Sequence, residues 1–272
     1  MPIRIMNVFL EIIRPKNCIM AFIAVWVGCL IAAGTPVFSN LILYTMVSAF
    51  VICAAGMIVN DYFDMYVDKI NKPKRPLPSG RIDPKTAIFY AVVLFAIGIV
   101  LAYLVNAYVF AIAIINAVVA IMYAWRVKRF KFIGNFLVSW LVGSLFIYAG
   151  FVIGNVGPMI ILALLAILTN TGREIYKDAE DLVGDKSQGV KTFATRFGSR
   201  AAMRIGNVFT LAAVLLSYVP YHLGMFSFAY VPVVLVADII FIIAMLSRSK
   251  RAAKFSILAM LVALIAFVAG AL

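Results

Sequence analysis

Two groups of polar, mostly acidic side chains in this sequence have a spacing that suits the binding of divalent metal ions. The first group is Asn60, Asp64 and Asp68, which recur every four residues. On a helix each step of four residues is a turn of about 400°, so the three side chains share one face. Carboxylates one turn apart repel each other, and Mg²⁺, which prefers hard oxygen ligands, would stabilise them. The first group therefore predicts a magnesium site.

The second group is a longer stripe of acids in the other half of the chain. Its members, at i, i+4, i+7 and i+11, are Glu174, Asp178, Asp181 and Asp185, which again fall on one helical face. If the ends of the two helices approach each other, their carboxylates line one cavity. A diphosphate with two Mg²⁺ ions suits such a cavity, because carboxylates hold the ions and the ions hold the phosphates. Apolar helix walls would accept a hydrocarbon tail, so the residues predict an enzyme acting on a lipid diphosphate.

The composition indicates which elements carry these stripes. Hydrophobic residues make up 65% of the 272 and charged residues only 13%, with a mean hydropathy of +1.07. A soluble domain would be near half apolar and a quarter charged. We therefore expect an all-α membrane protein, a single domain over 1–272, with about nine transmembrane helices around a central cavity open to the cytoplasmic side. The expected spans are about 17–34, 40–60, 84–105, 108–125, 133–153, 158–171, 200–218, 228–246 and 252–272.

The distribution of basic residues predicts the orientation. All 24 Lys and Arg fall in the N-terminal segment, in the loops after the second, fourth, sixth and eighth spans, or at the ends of spans that adjoin these loops. By the positive-inside rule the N-terminus and these loops are cytoplasmic, and the C-terminus is outside the cell membrane. Both acidic stripes lie at the cytoplasmic ends of their spans. A basic face beside anionic membrane lipids accounts for the net charge of +13, and no nucleic-acid partner is needed to explain it.

Two sequence motifs carry a family resemblance. The first is Asn60-xxx-Asp64-xxx-Asp68 followed by Lys-Pro-Lys-Arg-Pro-Leu-Pro-Ser-Gly at 72–80. The second is Tyr-Lys-Asp-Ala-Glu-Asp-Leu-Val-Gly-Asp-Lys at 176–186, followed by Gly-Val-Lys-Thr at 189–192. Together with the number of spans, these motifs resemble the UbiA superfamily of intramembrane prenyltransferases. The resemblance implies transfer of a prenyl group from a prenyl diphosphate to an acceptor, with Mg²⁺ as cofactor.

The resemblance also implies roles for individual residues. The implied ligands of one Mg²⁺ and the diphosphate are Asn60, Asp64 and Asp68, and those of the other Mg²⁺ are Asp181 and Asp185. Arg75 and Lys191 look like the diphosphate-binding bases of the family. Tyr123 and Lys128 stand where the family often has a tyrosine and a basic residue after the fourth span.

The pair Lys177-Asp178 indicates which kind of acceptor the enzyme uses. Enzymes of the family with aromatic acceptors more often have Tyr-Ala at this place. The form found here resembles the branch that attaches the second C20 chain of archaeal ether lipids. This implies transfer of geranylgeranyl from its diphosphate to the free hydroxyl of geranylgeranylglyceryl phosphate, with Arg173 and Lys177 as candidate partners for the acceptor phosphate. Asp178 is a candidate for the acceptor-side base, and a metal-ligand or salt-bridge role is an alternative.

Two other functions stay open from the sequence alone. Within the same enzyme class, the acceptor could be an aromatic ring of the quinone or chlorophyll type. In a different class, a membrane transporter would use the acidic stripes and the intramembrane Asp238 as a cation path. The clustering of the acids at one face argues against a relay through the membrane.

Overall fold

The chain is folded as α-helices joined by short turns. The structure is a computed structural model that describes residues 8–127, 130–187 and 189–272, and in these ranges the chain forms helices and turns with one isolated β-bridge and no sheet. Residues 8–12 are helical, and the helices that follow are α1 Pro15–Ala33, α2 Asn40–Phe63, α3 Met65–Asn71, α4 Pro84–Tyr103, α5 Ala107–Trp125, α6 Lys131–Ile153, α7 Val156–Glu180, α8 Leu182–Ser187, α9 Phe193–Phe197, α10 Ser199–Leu216, α11 Val219–His222, α12 Tyr230–Leu246 and α13 Ser249–Ala271. The all-α prediction is confirmed.

The helices match the predicted spans closely. In the described residues eight stretches are long and apolar enough to cross a membrane, and α12 is a shorter apolar helix of 17 residues. At 1.5 Å per residue α12 is about 25 Å long, near the lower limit for a span. The chain is therefore a multi-pass membrane protein. The expected central cavity and its opening to the cytoplasmic side stay predictions.

Some predicted boundaries are confirmed and one loop differs. Asp83 caps α4, since its carboxylate accepts hydrogen bonds from the backbone of Lys85 and Thr86. Gly198 precedes α10, with a positive φ of +84° that glycine tolerates. The segment between the expected spans 158–171 and 200–218 contains the end of α7 and the short helices α8 and α9. Both are short amphipathic helices, and periodicity over so few residues gives little signal.

Close packing divides the chain into two compact units. The first comprises residues up to 26 together with 38–126, and the second comprises 27–37 together with 127–272. Each unit contains one of the two acidic stripes.

In the first unit the proline-rich loop after α3 is compact. Leu77 and Ile82 bury their side chains, and Gly80, with φ of +72°, closes a turn onto the carbonyl of Leu77. Arg81 donates to both carboxylate oxygens of Glu11 at 2.7 and 2.8 Å, and this hydrogen bonding holds the pKa of Glu11 below its usual range. The loop thereby has a fixed path, which matters because it carries Arg75.

In the second unit α6 and α7 are joined by buried polar contacts. Ser139 of α6 accepts hydrogen bonds from Asn170 and Thr171 of α7 at 3.1 and 2.9 Å, and it donates to the carbonyl of Asn135. In a membrane such contacts between helices, together with small residues, take the place of hydrophobic burial. They fix the position of α6 against the part of α7 that leads to the second acidic stripe.

The same half of α7 packs tightly against α10. A Cβ added at Gly206 would lie 2.6 Å from the ring of Tyr176 and 3.2 Å from the carbonyl oxygen of Gly172. The hydroxyl of Tyr176 donates to Asn207 at 2.8 Å. The two glycines therefore allow the helices to approach until the Tyr176 ring fills the space between them.

Candidate active site

The first acidic stripe runs through a break between two helices. Helix α2 ends at Phe63 and α3 begins at Met65, so Asp64 lies at the junction. The helical hydrogen bonds continue across it, from Asp64 N to Asn60 O at 3.0 Å and from Asp68 N to Asp64 O at 2.7 Å. The side-chain amide of Asn60 donates to Asp64 at 3.1 Å. The register that was expected for this stripe is thus kept although the helix is interrupted.

Two arginines neutralise buried acids of this first unit. Arg75 Nη1 lies 2.5 Å from Asp68 Oδ2 and 3.2 Å from Asp61 Oδ1, and Arg14 also donates to Asp61. Asp61 and Asp68 are only 2% and 4% exposed, and buried carboxylates require such partners. Arg14 has a left-handed backbone with φ of +50°, unusual for a residue other than glycine. This conformation turns the chain between residues 8–12 and α1.

The second acidic stripe has the same construction in its own unit. Helix α7 ends at Glu180 and α8 begins at Leu182, and the backbone N–H of Asp185 donates to Asp181 O at 2.9 Å across the break. Asp178 and Asp185 are buried, whereas Asp181 is exposed. In the first unit Asp64 is therefore more accessible than Asp61 and Asp68. In the second unit Asp181 is more accessible than Asp178 and Asp185.

Lys131 and Asn135 hold the buried acids of the second stripe. Lys131 Nζ lies 3.0 Å from Asp178 Oδ1 and 3.0 Å from Asp185 Oδ2. The amide of Asn135, one turn further along α6, donates to Asp178 Oδ2 at 2.8 Å. Asp178 thus forms the salt bridge that was one of the alternatives for it.

The loop carrying Lys191 folds back against the start of α6. The backbone N–H of Val190 donates to Asp185 O, and that of Lys131 donates to Lys191 O, both at 2.9 Å. Gly189, with φ of +66°, makes this turn possible. The Lys191 side chain is exposed, with its ammonium 5.3 Å from the centre of the Phe130 ring. An exposed lysine at this place is suited to reach an anion bound beside Asp185.

A third charged cluster lies one turn before Asp178 on α7. Glu174 accepts hydrogen bonds from Arg173 Nη1 at 2.6 Å and from Lys177 Nζ at 2.9 Å. Arg173 Nε is buried and has no hydrogen-bond partner among the described residues. A guanidinium binds an oxyanion best through two parallel N–H groups, so Arg173 retains a donor for a phosphate.

The remaining predicted residues have these positions. Tyr123 is half-buried near the end of α5 in the first unit. Lys128 lies outside the described residues. Asp238, on α12, is buried and accepts a hydrogen bond from Ser217 at 2.9 Å. This contact gives Asp238 the partner that the sequence did not reveal.

Sequence reasoning missed Lys131, Asn135 and the pairing of Arg14. Lys131 stands at the end of a basic run from 126 to 131, of which only Lys128 was considered a candidate for the site and the rest was assigned to orientation. Its partners Asp178 and Asp185 lie far along the chain, and their pairing depends on the packing of α6 against α7. The signal that could have found it is its place as the first residue of a span. An ammonium there can turn toward the membrane surface, where both acids were expected to lie.

The oxygen ligands of both stripes fit Mg²⁺ in type. Carboxylate and amide oxygens are hard donors. Among the described residues, however, no three His, Cys, Asp or Glu side chains converge as a protein-only metal site. Mg²⁺ is commonly held by one or two carboxylates plus substrate phosphates. The geometry therefore fits a metal that binds together with a phosphorylated ligand.

The sequence is similar to known proteins along nearly its whole length. The UbiA prenyltransferase family matches residues 21–268. The chain belongs to this family. A digeranylgeranylglyceryl phosphate synthase of Methanopyrus kandleri is 39% identical over 98% of this chain and 100% of its own length.

Solved structures of family members have the same fold. One, of a digeranylgeranylglyceryl phosphate synthase in membranes, has a TM-score of 0.90 and 38% identity over 98% of both chains. A UbiA homologue from Archaeoglobus fulgidus, bound to DMAPP and Mg²⁺, has a TM-score of 0.71 and 21% identity over 96% of this chain and 97% of its own. At that lower identity the similarity concerns the fold alone.

Proposed function

We propose that this protein transfers a geranylgeranyl group from geranylgeranyl diphosphate to the free hydroxyl of geranylgeranylglyceryl phosphate, forming digeranylgeranylglyceryl phosphate for archaeal ether lipids. The observation that carries the proposal is the full-length similarity to synthases of this product, at 39% identity in one relative. The Arg173–Glu174–Lys177 cluster supports a phosphorylated acceptor, because it offers two cations and a buried donor to one anion.

Mg²⁺ is the cofactor in this proposal. When bound, it would neutralise the diphosphate and make it a better leaving group. Its proposed ligands are Asn60, Asp64 and Asp68 for one ion and Asp181 and Asp185 for the other. The accessible positions of Asp64 and Asp181 support this assignment. The Mg²⁺ bound by the Archaeoglobus fulgidus homologue supports the choice of metal.

The reaction breaks one carbon–oxygen bond and forms another. The bond between C1 of the geranylgeranyl group and the diphosphate oxygen breaks, and the electron pair leaves with the diphosphate. Arg75 and Lys191 stabilise the charge on the leaving group. The acceptor hydroxyl then attacks the allylic cation at C1, forming an ether and releasing a proton. Half-buried Tyr62 and Tyr123 are suited to stabilise the cation through their rings.

Asp178 has a positioning role in this mechanism. Both of its oxygens accept contacts, one from Lys131 and the other from Asn135. A carboxylate whose two oxygens are both engaged in this way is poorly placed to take a proton from the acceptor. We therefore assign the acceptor proton to the departing diphosphate or to water, and we assign Asp178 to fixing α7 against α6.

The proposal also includes the orientation in the membrane and a single domain. A cytoplasmic N-terminus and acidic stripes, with an extracytoplasmic C-terminus, follow from the positive-inside rule. The match of one family to residues 21–268 supports a single prenyltransferase domain that includes both units. Membrane lipids are the expected surroundings.

The function is tested with purified protein in detergent. Labelled geranylgeranyl diphosphate is offered with geranylgeranylglyceryl phosphate or with 4-hydroxybenzoate, and the expected product is the diether lipid alone. A prenylated hydroxybenzoate would instead establish the aromatic-acceptor alternative. Failure to release diphosphate with either acceptor, combined with ion flux in sealed vesicles, would establish a transporter.

The metal sites are tested by Asp64→Asn and Asp181→Asn. Each substitution should lower kcat by at least about a hundredfold, because the charge that opposes the diphosphate is lost in the transition state. Binding of inorganic pyrophosphate with Mg²⁺, measured by calorimetry on both single variants and the double variant, tests whether the stripes share one ligand. Strictly additive losses would indicate two independent sites. Full activity of either single variant would remove it from the metal site.

A further inference from the structure

Lys131 is placed where a metal ion would otherwise be needed. Its ammonium lies 3.0 Å from an oxygen of Asp178 and 3.0 Å from an oxygen of Asp185. The two carboxyl side chains are only 3% and 11% exposed. Buried carboxylates that share a neighbourhood repel each other unless a cation lies between them. Lys131 supplies that cation from within the protein.

The position of Lys131 is fixed by contacts on several sides. Its backbone N–H donates to Lys191 O at 2.9 Å, which joins the start of α6 to the Lys191 loop. The neighbouring Phe132 packs edge-on against Phe193, with ring centres 4.3 Å apart. The ammonium is therefore directed at the acids by a rigid backbone.

The two acids are held unequally. Asp178 has a second partner, Asn135, which donates to it at 2.8 Å. Among the described residues the carboxylate of Asp185 makes hydrogen bonds only with Lys131, at 3.0 and 3.2 Å. If a metal ion competes with Lys131, Asp185 has a single partner to exchange among the described residues, whereas Asp178 is also held by Asn135.

We propose that Lys131 is a positioning residue that acts as a resident counter-cation for the second acidic stripe. It holds Asp185 in place before the metal binds, releases Asp185 to the metal when the diphosphate arrives, and stays paired with Asp178. The released donors of its ammonium then face the incoming diphosphate. A lysine suits this exchange better than an arginine, because its ammonium is a compact point charge on a flexible stem. The inference rests on the proposed function, since it takes Asp185 as a metal ligand.

The test compares Lys131→Met with the wild-type protein and with Lys254→Met, which removes an exposed lysine from α13. Binding of Mg²⁺ alone, and of inorganic pyrophosphate at saturating Mg²⁺, is measured by calorimetry. Lys131→Met should bind Mg²⁺ alone about tenfold more tightly, because the ion no longer competes with an ammonium. The same variant should bind pyrophosphate about tenfold more weakly, because a cation facing it is gone. Lys254→Met should match the wild type in both.

Loss of folding is controlled by a second variant. Lys131→Met combined with Asp185→Asn restores the charge balance, so it should recover the melting temperature and lose the tighter Mg²⁺ binding expected of Lys131→Met alone. A purely structural lysine would lower the melting temperature of Lys131→Met and leave both affinities within about twofold of the wild type, which overturns the inference alone. A wild-type protein that binds neither Mg²⁺ nor pyrophosphate would overturn the proposed function as well.

Discussion

At the scale of single residues, the acids of the two stripes differ in burial. The buried acids form ion pairs with bases of the protein, and Asp64 and Asp181 are more accessible. Asp61 and Asp68 share Arg75, and Asp178 and Asp185 share Lys131. Removing one partner of a buried ion pair typically costs about 3–5 kcal/mol, since the other charge is left without compensation. We therefore expect these bases to be needed for folding as well as for the proposed binding of anions.

Glu174 offers a prediction about acceptor binding. Its carboxylate occupies both Arg173 and Lys177, so a phosphate must displace it. Glu174→Gln should lower the KM for geranylgeranylglyceryl phosphate by about two- to fivefold, the range expected for half-exposed ion pairs. The KM for geranylgeranyl diphosphate should not change. Steady-state kinetics with each substrate varied in turn measures both values.

The matched control is Glu180→Gln, which removes an exposed acid from the end of the same helix. It should leave the KM of the acceptor unchanged. A higher acceptor KM in Glu174→Gln would mean that Glu174 orients the two cations instead of competing with the phosphate.

The sequence predicted the acidic stripe and Arg75 but missed Lys131. The reason is the distance along the chain between the residues that contact each other. The spacing of Asn60, Asp64 and Asp68 identified a local stripe, and its helical register continues in the structure. The link from Arg75 to Asp68 spans only seven residues, and the motif that contains both made Arg75 a candidate. The link from Lys131 to Asp185 spans 54 residues. Only the packing of α6 against α7 creates it, and no local pattern encodes that packing.

At the scale of helices, both acidic stripes interrupt their helix at the central acid. The breaks at Asp64 and Asp181 keep the helical hydrogen bonds to the residues four before and four after. A junction of this kind makes Asp64 and Asp181 more accessible, while Asp68, Asp178 and Asp185, about one turn away, stay buried. Continuous periodicity in the sequence predicted the face correctly, but it could not predict the break, because a change of a few tens of degrees in one ψ leaves the pattern intact.

The close approach of α7 and α10 gives a prediction about stability. Gly206→Ala would place a methyl group 2.6 Å from the ring of Tyr176. We expect it to lower the free energy of unfolding by about 1–3 kcal/mol, as overpacking usually does. The melting temperature in detergent measures the effect.

Gly157→Ala is the control for this prediction. Gly157 also lies in α7, but an added Cβ would meet no atom within 4 Å. It should be neutral or slightly stabilising, because alanine favours a helix by up to about 1 kcal/mol over glycine. Equal stability of Gly206→Ala and Gly157→Ala would show that α7 and α10 can separate without cost.

At the scale of the whole molecule, composition and charge predicted most of the architecture. The expected spans correspond to the nine long helices of the described residues, and their ends differ by a few residues. Hydropathy is a strong signal because a membrane span must be long and apolar. The short helices α8 and α9 were missed because they have only six and five residues, too few for periodicity to give a signal.

The orientation is tested by labelling from one side of the membrane. Ser79 and Ser227 are both exposed, and the positive-inside rule puts them on opposite sides. Each is changed to cysteine after Cys18, Cys29 and Cys53 have been replaced by alanine. In right-side-out vesicles an impermeant maleimide should label Ser227→Cys at once and Ser79→Cys only after permeabilisation. The reverse order would invert the proposed topology.

The length of α12 has a consequence for the surrounding lipid. Its 17 residues give about 25 Å, whereas a bilayer core is about 30 Å thick. A mismatch of this kind is relieved by compressing the acyl chains nearby or by drawing flanking side chains inward, at a fraction of a kcal/mol per Å. The bilayer thickness that suits α12 is therefore smaller than the thickness that suits the longer helices. A change in the thickness of the host bilayer would thus act on this helix first.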